Sequence, residues 1–288
     1  MSPRQSQFEV DRLESEAKKQ GVEVIKALYR EMELNFGNGE EVRVQGEELK
    51  PENVWGCWFR VAGTKSGKYV EGRNAMIRKL GDKILMINGQ SYMDWPRMGK
   101  IAQHALFARE GVPIIPTKIF YTKEQAMEWL GTAKFPMITK HDRGYQGKSV
   151  RKFDNKAQAI KFVDKINEKN LGMFLWQEYL PLKWDLRVIV LGGKVLGAMR
   201  RTAVGEEFRS NYSLGGSVER WELSREEEAL AIRAAGAARL DYVGVDIMKD
   251  DEGRSYILEV NRQCQFAGFE KATGINVARA VVKYIITK

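Results

Sequence analysis

The chain is predicted to adopt a mixed α/β fold built of α+β lobes, and three observations support this prediction. Short apolar runs rich in strand-forming residues alternate with stretches in which apolar residues recur at helical spacing. The 288 residues are 43% hydrophobic, enough for a sizeable core in one large domain or two to three small ones. Aromatic and aliphatic residues are spread along the whole sequence, which argues against disorder.

The first third of the chain is expected to form a small α/β unit. Apolar residues at helical spacing predict a helix from about Phe8 to Gln20, which Gly21 interrupts. The elements expected next are strands at Val22–Leu28, Asn53–Ala62 and Lys83–Asn88, and then a helix at Arg97–Glu110.

The rest of the chain alternates in the same way. The expected elements are a strand at Phe135–Lys140, a helix at Asn155–Asn167, a strand at Met173–Gln177, a hairpin of Asp185–Val190 with Lys194–Arg201, and helices at Arg225–Arg239 and Asn276–Ile286. Ser224, with Glu227 three residues further on, is typical of a capping box at a helix start.

Composition narrows the classes of partner and the compartment. Lys and Arg number 47 against 38 Asp and Glu, a balance of +9 that favours an anionic partner or reflects an ordinary basic surface. Cys57 and Cys264 are too far apart in sequence to indicate a zinc site or a disulfide framework. The first residues lack the apolar core of a signal peptide, and apolar runs such as Val188–Leu191 are too short to cross a bilayer. A reducing cytoplasm is therefore the expected location, with no membrane partner.

Two strand-like runs near the C-terminus carry a candidate metal site. Val243–Met248 and Ser255–Asn261 flank a turn-rich hexapeptide and are expected to pair as an antiparallel hairpin. If the hairpin is centred on that turn, Asp246 lies across from Ile257, and Glu259 and Asn261 follow on the same face.

Two carboxylates and an amide oxygen are the hard ligands that magnesium prefers. The apolar neighbours indicate partial burial, and a buried carboxylate pair needs a compensating cation. The alternative is that Asp246 and Glu259 are solvated or form salt bridges with Arg254 or Arg262.

A glycine-containing loop follows the strand that ends at Lys140. Gly144 and Gly147 are separated by two residues, whereas a P-loop needs four between its glycines, so this loop is not a P-loop. Its backbone N–H groups could close over phosphates, and the Lys140 ammonium could meet the same phosphates. The alternative is an ordinary β-turn with a surface lysine.

Arginines concentrate around the predicted hairpin at Gly192-Gly193. Arg187 shares a strand face with Asp185, whereas Arg200 and Arg201 point to opposite faces, so one of these two can face a site. Guanidinium groups suit phosphoryl and acyl-phosphate oxygens because they bind two oxygens in one plane. A solvated basic edge strand and a nucleic-acid-binding surface are the alternatives, although no nucleic-acid-binding motif is recognisable.

Taken in order, these motifs resemble the ATP-grasp superfamily. The motifs are the lysine-ended strand, the glycine loop, Gln177–Leu180, Asp185-Leu-Arg187, Arg209–Gly216, Gly244–Asp246 and Leu258–Asn261. Within that superfamily, the sequence from about Lys83 onward looks most like the RimK-like branch of ribosomal-protein glutamate ligases.

The resemblance implies an ATP-grasp fold with ATP between two lobes. It implies a small N-terminal pre-ATP-grasp domain at residues 1–95, a central lobe at 96–180 and a C-terminal lobe at 181–288. The residues that match nucleotide-binding positions are Lys100, Lys140, Gly144, Gln146, Gly147, Glu178, Tyr179, Leu180 and Asp185.

The resemblance also implies the cofactors and the chemistry. Asp246, Glu259 and Asn261 match magnesium ligands, with two ions bridged by Glu259, and manganese is an alternative ion. Arg209 and Asn211 match residues that hold the phosphate and the activated carboxylate, with Arg187 as a helper. A carboxylate would attack the γ-phosphate of ATP, and an amine would then displace phosphate from the acyl-phosphate.

The implied partners are ATP, an amino acid or other amine, and a carboxylate acceptor such as an acidic peptide or a small molecule, with a homo-oligomer as one assembly. The sequence departs from the family after Asn261, because Cys264-Gln265 replaces a Pro-Gly pair, so the turn that shapes the acceptor pocket must differ. A non-catalytic ATP-binding regulatory module is the main alternative to a ligase.

Overall fold

The structure is a computed structural model that describes residues 3–37, 41–60, 67–144, 149–182, 184–203 and 216–288. The helices in these ranges are α1 (Pro3–Lys19), α2 (Val70–Leu80), α3 (Gly89–Asp94), α4 (Lys100–Arg109), α5 (Lys123–Leu130), α6 (Lys156–Lys165), α7 (Arg225–Ala237), α8 (Ala267–Thr273) and α9 (Val277–Ile286). Short 3₁₀ segments lie at Tyr29–Glu31 and Glu168–Met173. Within these ranges no helix has the length and apolar character needed to cross a membrane.

The strands, like the helices, are interspersed along the whole chain. They are β1 (Met32–Asn35), β2 (Glu41–Val44), β3 (Glu47–Glu48), β4 (Gly56–Trp58), β5 (Leu85–Ile87), β6 (Thr117–Lys118), β7 (Met137–His141), β8 (Val150–Phe153), β9 (Phe174–Glu178), β10 (Trp184–Leu191), β11 (Lys194–Thr202), β12 (Ser217–Trp221), β13 (Tyr242–Lys249) and β14 (Ser255–Asn261). Mixed α/β architecture is thus confirmed.

The strands of the described residues form four sheets. The largest is antiparallel with the order β12-β11-β10-β13-β14, and a second has the order β6-β9-β7-β8. Near the N-terminus, β1-β2-β3 form an antiparallel sheet, and β4 pairs with β5 in parallel. The sheets fall within the three expected segments, although the boundaries at 95/96 and 180/181 stay a prediction.

The five-stranded sheet is covered on both faces by apolar packing. On one face, strand residues such as Val188 and Val245 pack with α7 residues such as Ala234. On the other face, Ile189 and Tyr242 pack with residues of α1, α8 and α9. Because both faces are buried, the polar side chains of its strands are forced toward one end, which is where the candidate site lies.

Local signals account for several helix starts. Ser224 Oγ accepts from the Glu227 N–H at 3.1 Å, and Glu227 Oε2 accepts from the Ser224 N–H at 2.7 Å, so the predicted capping box is confirmed. Asn155 and Asn276 cap α6 and α9 in the same way, through side-chain oxygens that accept a backbone N–H. These caps fix helix ends that the periodicity alone placed only approximately.

Two predictions about the N-terminal third were wrong in detail. Val22–Leu28 forms no strand, because this segment has no ladder partner among the described residues. The expected strand at Asn53–Ala62 is reduced to β4, which ends at Trp58. β-propensity without a neighbouring strand to pair with does not make a strand.

Asn88 fastens this N-terminal region to the five-stranded sheet. It has a left-handed backbone (φ 62°), and its Nδ2 donates to the Tyr242 carbonyl at 2.8 Å and to the Arg262 carbonyl at 3.0 Å. Its Oδ1 accepts from the Tyr242 N–H at 2.9 Å. The Asn88 amide is fully buried and makes all of these hydrogen bonds. It therefore fixes β5 against the strands that carry the candidate site.

Candidate active site

The hairpin of β13 and β14 forms as predicted, but with a different register. Asp246 pairs with Glu259, and a bulge between Asp246 and Ile247 leaves Ile247 opposite Ile257. The prediction that Asp246 lies across from Ile257 was therefore wrong, because it assumed a regular ladder. The bulge adds one residue to β14 and brings the two carboxylates directly opposite each other.

Asn261 completes the group of oxygen-bearing side chains. Its Nδ2 lies 3.2 Å from Glu259 Oε1 and 3.5 Å from Asp246 Oδ2, so the structure brings all three predicted metal ligands together. Rotating the amide by 180° would present its oxygen to a cation in the same place. Within the described ranges no group of three or more His, Cys, Asp or Glu side chains could hold a metal ion. Asp246 and Glu259 are therefore the two carboxylates that this site offers to a cation. Amide, water and phosphate oxygens would have to complete a magnesium shell.

Lys100 joins this group to the start of the glycine loop. Its ammonium lies 2.8 Å from Glu259 Oε2 and donates to the Gly144 carbonyl, also at 2.8 Å. Burial opposes ionisation of Glu259, but the charge and hydrogen bond of Lys100 outweigh it and lower the pKa of that carboxyl to about 2. Glu259 is therefore ionised at every physiological pH.

The position of Lys100 at the first residue of α4 has two structural supports. Asp142 Oδ1 accepts from the Ile101 N–H at 2.9 Å, and a Cβ on Gly99 would lie 2.4 Å from the Asp142 carboxylate oxygens. Further along the helix, Gln103 donates to the Val260 carbonyl at 3.2 Å and accepts from the Val260 N–H at 2.8 Å. The Gln103 amide thus makes the two backbone hydrogen bonds that a neighbouring strand would make, and it holds α4 against β14. None of these three positioning residues was among the sequence candidates.

Two arginines of the neighbouring strands neutralise Asp246. Arg187 binds it through Nε and through Nη2, the latter at 3.0 Å from Oδ2, and Arg201 Nη2 lies 3.1 Å from the same oxygen. Arg201 also forms a two-pronged pair with Asp185, at 2.6 Å and 2.8 Å. The suggested salt bridges of Asp246 or Glu259 with Arg254 or Arg262 are therefore wrong.

The arginine side chains are buried yet remain charged. Burial works against the charge of Arg187, but Asp246 outweighs it and raises the pKa of this guanidinium, and Asp185 does the same for Arg201. Arg200 points away and pairs with the exposed Glu219, which confirms that one of Arg200 and Arg201 faces the site. Arg201 was missed as a site residue, and its register opposite Asp185 is the signal that could have found it.

Lys140, on β7, is a buried cation of a different kind. Only 9% of it is exposed, and its ammonium has no hydrogen-bond or ion-pair partner among the described residues. Burial lowers the pKa of Lys140 to about 8, with Glu259 opposing and Lys100 reinforcing the shift. A buried ammonium without a partner fits a site that receives phosphate oxygens.

The two histidines lie beside this site and have distinct surroundings. His104 is buried, with Nδ1 3.4 Å from Thr117 Oγ1 and Nε2 3.5 Å from Gln177 Nε2. Burial, reinforced by Lys140 and Lys100, lowers the pKa of His104 to about 4, so this imidazole is neutral at pH 7. His141 Nδ1 accepts from the Arg143 N–H at 3.2 Å at the entrance to the glycine loop.

Several of the residues predicted to contact the nucleotide lie within the described part of the chain. Glu178 ends β9, the Tyr179 N–H donates to the Pro136 carbonyl at 3.3 Å, and Lys152 lies 4.6 Å from the Tyr179 ring centre. Leu180 lies in the connection that leads from β9 of the four-stranded sheet to β10 of the five-stranded sheet. The roles of these residues, and those of Lys100, Lys140, Gly144 and Asp185, stay predictions.

Some candidates lie outside the described residues. These are Gln146 and Gly147 of the glycine loop and Arg209 and Asn211 of the segment after β11. Their roles stay predictions as well.

The segment that departs from the family pattern packs tightly under the site. A Cβ on Gly244 would lie 2.6 Å from the Cys264 Cβ, and the Tyr242 hydroxyl donates to the Cys264 carbonyl at 3.2 Å. Burial raises the pKa of the Cys264 thiol, and burial raises that of Cys57 to about 11. Both thiols are unsuited to act as nucleophiles.

Solved structures share this fold along nearly the whole chain. The ATP-grasp ligase PsnB, in complex with a phosphomimetic variant of its minimal precursor, Mg and ADP, superposes with a TM-score of 0.77 at 19% identity. That alignment covers 97% of this chain and 94% of PsnB. The macrocyclase MdnC from Microcystis aeruginosa MRC, bound to its precursor peptide, gives 0.72 at 13% identity over 97% of this chain and 96% of MdnC. Fold and site thus define the class: this is an ATP-grasp protein.

Sequence comparison gives the family. The family model for the RimK-like ATP-grasp domain matches residues 98–285. The chain is 28% identical over 274 residues to a probable alpha-L-glutamate ligase of Legionella pneumophila (strain Corby), with 86% of this chain and 89% of the relative covered. It is 29% identical over 272 residues to a protein of the same name from Thioalkalivibrio sulfidiphilus (strain HL-EbGR7), with 85% and 89% covered.

The chain belongs to the RimK-like ATP-grasp family. The predicted enzyme class, an ATP-dependent ligase that joins a carboxylate to an amine, is confirmed. ATP and Mg²⁺ are the cofactors of this class, and the donor set described above fits them: two carboxylates, one amide and two lysines.

Proposed function

We propose that this ligase adds an amino acid to a carboxylate of a peptide or small-molecule acceptor. The observation that carries the proposal is the convergence of Asp246, Glu259 and Asn261 beside Lys100. Such a set holds the negative charge of a nucleotide only with a divalent cation present, which is the arrangement that phosphoryl transfer requires.

The residues have separate tasks in this reaction. Bound Mg²⁺ would neutralise charge on the phosphates and orient them. Lys140 and Lys100 would hold phosphate oxygens, and the backbone of the loop from Gly144 onward would cover them. Arg187 would leave Asp246 in part when the cation arrives and would then face the developing charge.

The bond changes are those that membership of the RimK-like family implies. A substrate carboxylate oxygen attacks the γ-phosphorus, ADP leaves, and an acyl-phosphate remains. The amine then attacks the acyl carbon, the amine loses a proton, and inorganic phosphate leaves. Arg209 and Asn211 would hold the phosphate and the activated carboxylate, and Arg187 would assist them. Catalysis by positioning fits a site whose buried thiols and neutral His104 offer no activated nucleophile within the part of the chain that the structure describes.

The finer cofactor and substrate assignments also belong to the proposal. Asp246, Glu259 and Asn261 would hold two Mg²⁺ ions, and Mn²⁺ would substitute for them. The relatives named alpha-L-glutamate ligase support glutamate as the first amino acid to test, and the peptide-bound neighbours support peptides as acceptors. We expect the enzyme in the cytoplasm, and a homo-oligomer is compatible with the family.

A screen for ADP release tests the proposal. Amino acids and acceptors, acidic peptides included, are combined with ATP and Mg²⁺, and products are identified by mass spectrometry. We expect ADP formation that depends on both substrates, and a mass increase of one amide-linked residue.

Glu259→Ala should lower the rate by at least about 100-fold, because loss of a ligand should exceed the 10–100-fold effect of losing its outer-shell partner. Glu252→Ala is the matched control, since Glu252 lies in the exposed turn of the same hairpin and pairs with Arg254. ATP binding without turnover on any acceptor would instead support the regulatory module.

A further inference from the structure

Three arginines lie around Tyr92, Trp58 and the segment that follows Asn261, next to the candidate site. The guanidinium of Arg73 lies 3.9 Å from the Tyr92 ring centre, and that of Arg262 lies 4.4 Å from it. Arg60 follows β4, and its Nη1 donates to the Cys264 carbonyl at 3.3 Å. We call Arg60, Arg73 and Arg262 the arginine cluster.

The arginine cluster lacks acidic partners. Within the part of the chain that the structure describes, none of the three guanidinium groups has a carboxylate within ion-pair distance. Their hydrogen bonds go instead to neutral oxygens, such as the Asn74 side chain and the Pro96 carbonyl for Arg73. Glu9 on α1 attracts the charge of Arg60 but forms no ion pair with it, and burial raises the pKa of this acid.

Such a cluster is costly unless something compensates it. Arg73 is 1% exposed, and Arg60 Nε is buried without a hydrogen-bond partner among the described residues. Buried charges in proteins are normally paired, so an unpaired set of three is a place where an anion would be bound strongly.

Arg262 offers the edge that such an anion needs. Its Nη1 donates to the carbonyls of Trp95 at 2.7 Å and Ser91 at 3.2 Å, which fixes the plane of the guanidinium. Its Nε and Nη2 have no partner among the described residues, and together they form the edge that binds a carboxylate in bidentate fashion. Because two carbonyls already hold Nη1, the Arg262 side chain loses little conformational entropy when Nε and Nη2 bind a ligand.

The cluster is next to the proposed chemistry. Arg262 directly follows the candidate metal ligand Asn261, and Arg60 contacts the segment after it through Cys264. Gln263 donates to the Tyr92 hydroxyl at 3.0 Å, so the whole segment 262–264 is anchored to the cluster. This is the segment whose sequence departs from the family pattern.

We propose that Arg60 and Arg262 form a subsite that binds a carboxylate of the co-substrate. This carboxylate is a different one from the carboxylate that ATP activates. The inference rests on the proposed ligase function and gives it a specificity: the co-substrate is acidic, an amino acid or peptide with a free carboxylate. Arg73 stays behind Tyr92 and adds positive charge without touching the ligand.

Calorimetry tests the subsite without requiring turnover. Glutarate is titrated into the full-length protein with Mg²⁺ and a non-hydrolysable ATP analogue, and glutaramide serves as the neutral isostere. We expect glutarate to bind at least about tenfold more tightly than glutaramide. We expect Arg262→Gln and Arg60→Gln each to weaken glutarate binding by about tenfold or more, because a bidentate charged pair is lost.

Several controls separate the outcomes. Arg109→Gln removes the same charge at the exposed end of α4, where Arg109 pairs with Glu110, and should leave glutarate binding unchanged. The affinity for the ATP analogue should change less than about twofold in Arg262→Gln. Once a substrate pair is known, Arg262→Gln should raise the KM for the acidic substrate with little change in kcat, whereas Arg262→Lys should restore part of it.

The proposal is overturned if glutarate and glutaramide bind alike or not at all, or if Arg262→Gln leaves glutarate binding intact. A loss of nucleotide affinity in Arg262→Gln would assign this guanidinium to ATP phosphates and would also overturn it. Failure of the ligase proposal is distinguishable, because glutarate binding that depends on Arg262 can be present without any ADP release.

Discussion

Two charged clusters meet at the end of β14, and they differ in how their charge is balanced. Around Asp246 and Glu259, each carboxylate is matched by a cation of the chain itself, from Lys100, Arg187 or Arg201. A few residues on, no carboxylate lies within ion-pair distance of the arginine cluster among the described residues. We propose that the carboxylate cluster exchanges its own cations for a metal, whereas the arginine cluster receives an anion from outside.

The largest effect on stability should come from breaking the balanced cluster. Arg201→Met removes a guanidinium with 6% side-chain exposure and breaks its two-pronged pair with Asp185, while Asp246 keeps Arg187. Removing one partner of a buried ion pair costs about 3–5 kcal/mol, so urea denaturation should show a loss of that size.

Arg200→Gln is the matched control for this measurement. Arg200 directly precedes Arg201 but pairs with the exposed Glu219. We therefore expect this variant to lose less than about 1 kcal/mol of unfolding free energy. Equal losses in the two variants would contradict the description of the Asp246 cluster as a buried, balanced network.

A smaller effect is expected in the pH dependence of nucleotide binding. Lys140 is positive below its pKa of about 8 and neutral above it, so its attraction for phosphate is present at pH 7 and is lost as the pH rises. If bound phosphate keeps the ammonium protonated, the Kd for ATP should rise about tenfold between pH 7 and pH 9.

Lys140→Arg should flatten this profile, because a guanidinium stays charged throughout the range. Fluorescence titration with a labelled ATP analogue at a series of pH values would measure both curves. A profile in the variant as steep as in the wild type would show that another group titrates.

The smallest effect should come from the unbalanced cluster. Arg262→Gln gives up hydrogen bonds to two carbonyls but also removes a half-buried charge that the protein does not compensate. Because these two contributions oppose each other, we expect the free energy of unfolding to change by no more than about 1 kcal/mol. A loss as large as that of Arg201→Met, measured by the same urea denaturation, would make Arg262 a structural residue and remove the contrast between the clusters.

The sequence predicted the α/β class and most strands and helices after Lys83, because period and caps are local properties. The convergence of Asp246, Glu259 and Asn261 also followed from strand alternation. Their register did not, because the bulge after Asp246 takes Leu258 out of the ladder, whereas strand alternation assumes a regular pairing. A local pattern does not show where such a bulge falls.

Residues that act across long sequence separations were the ones missed. Arg201 gains its role from Asp185 and Asp246 on two other strands, and Asn88 gains its role from Tyr242 and Arg262. Arg262 was considered only as a local partner for the acids, whereas its contacts lie with α3 and Tyr92. Each of these assignments needs the tertiary arrangement.

Helix α1 packs against α9, and Arg12 on α1 reaches Glu270 on α8 with Nε and Oε2 3.0 Å apart. Leu13 and Ala17 are buried there together with Val281 and Val282. During synthesis the first helix therefore leaves the ribosome long before its packing surface exists, and it must stay exposed until the last helix has emerged. The layer beneath the hairpin of β13 and β14 can close only after α9 has emerged, so assembly of the candidate site is a late event in the folding of this region.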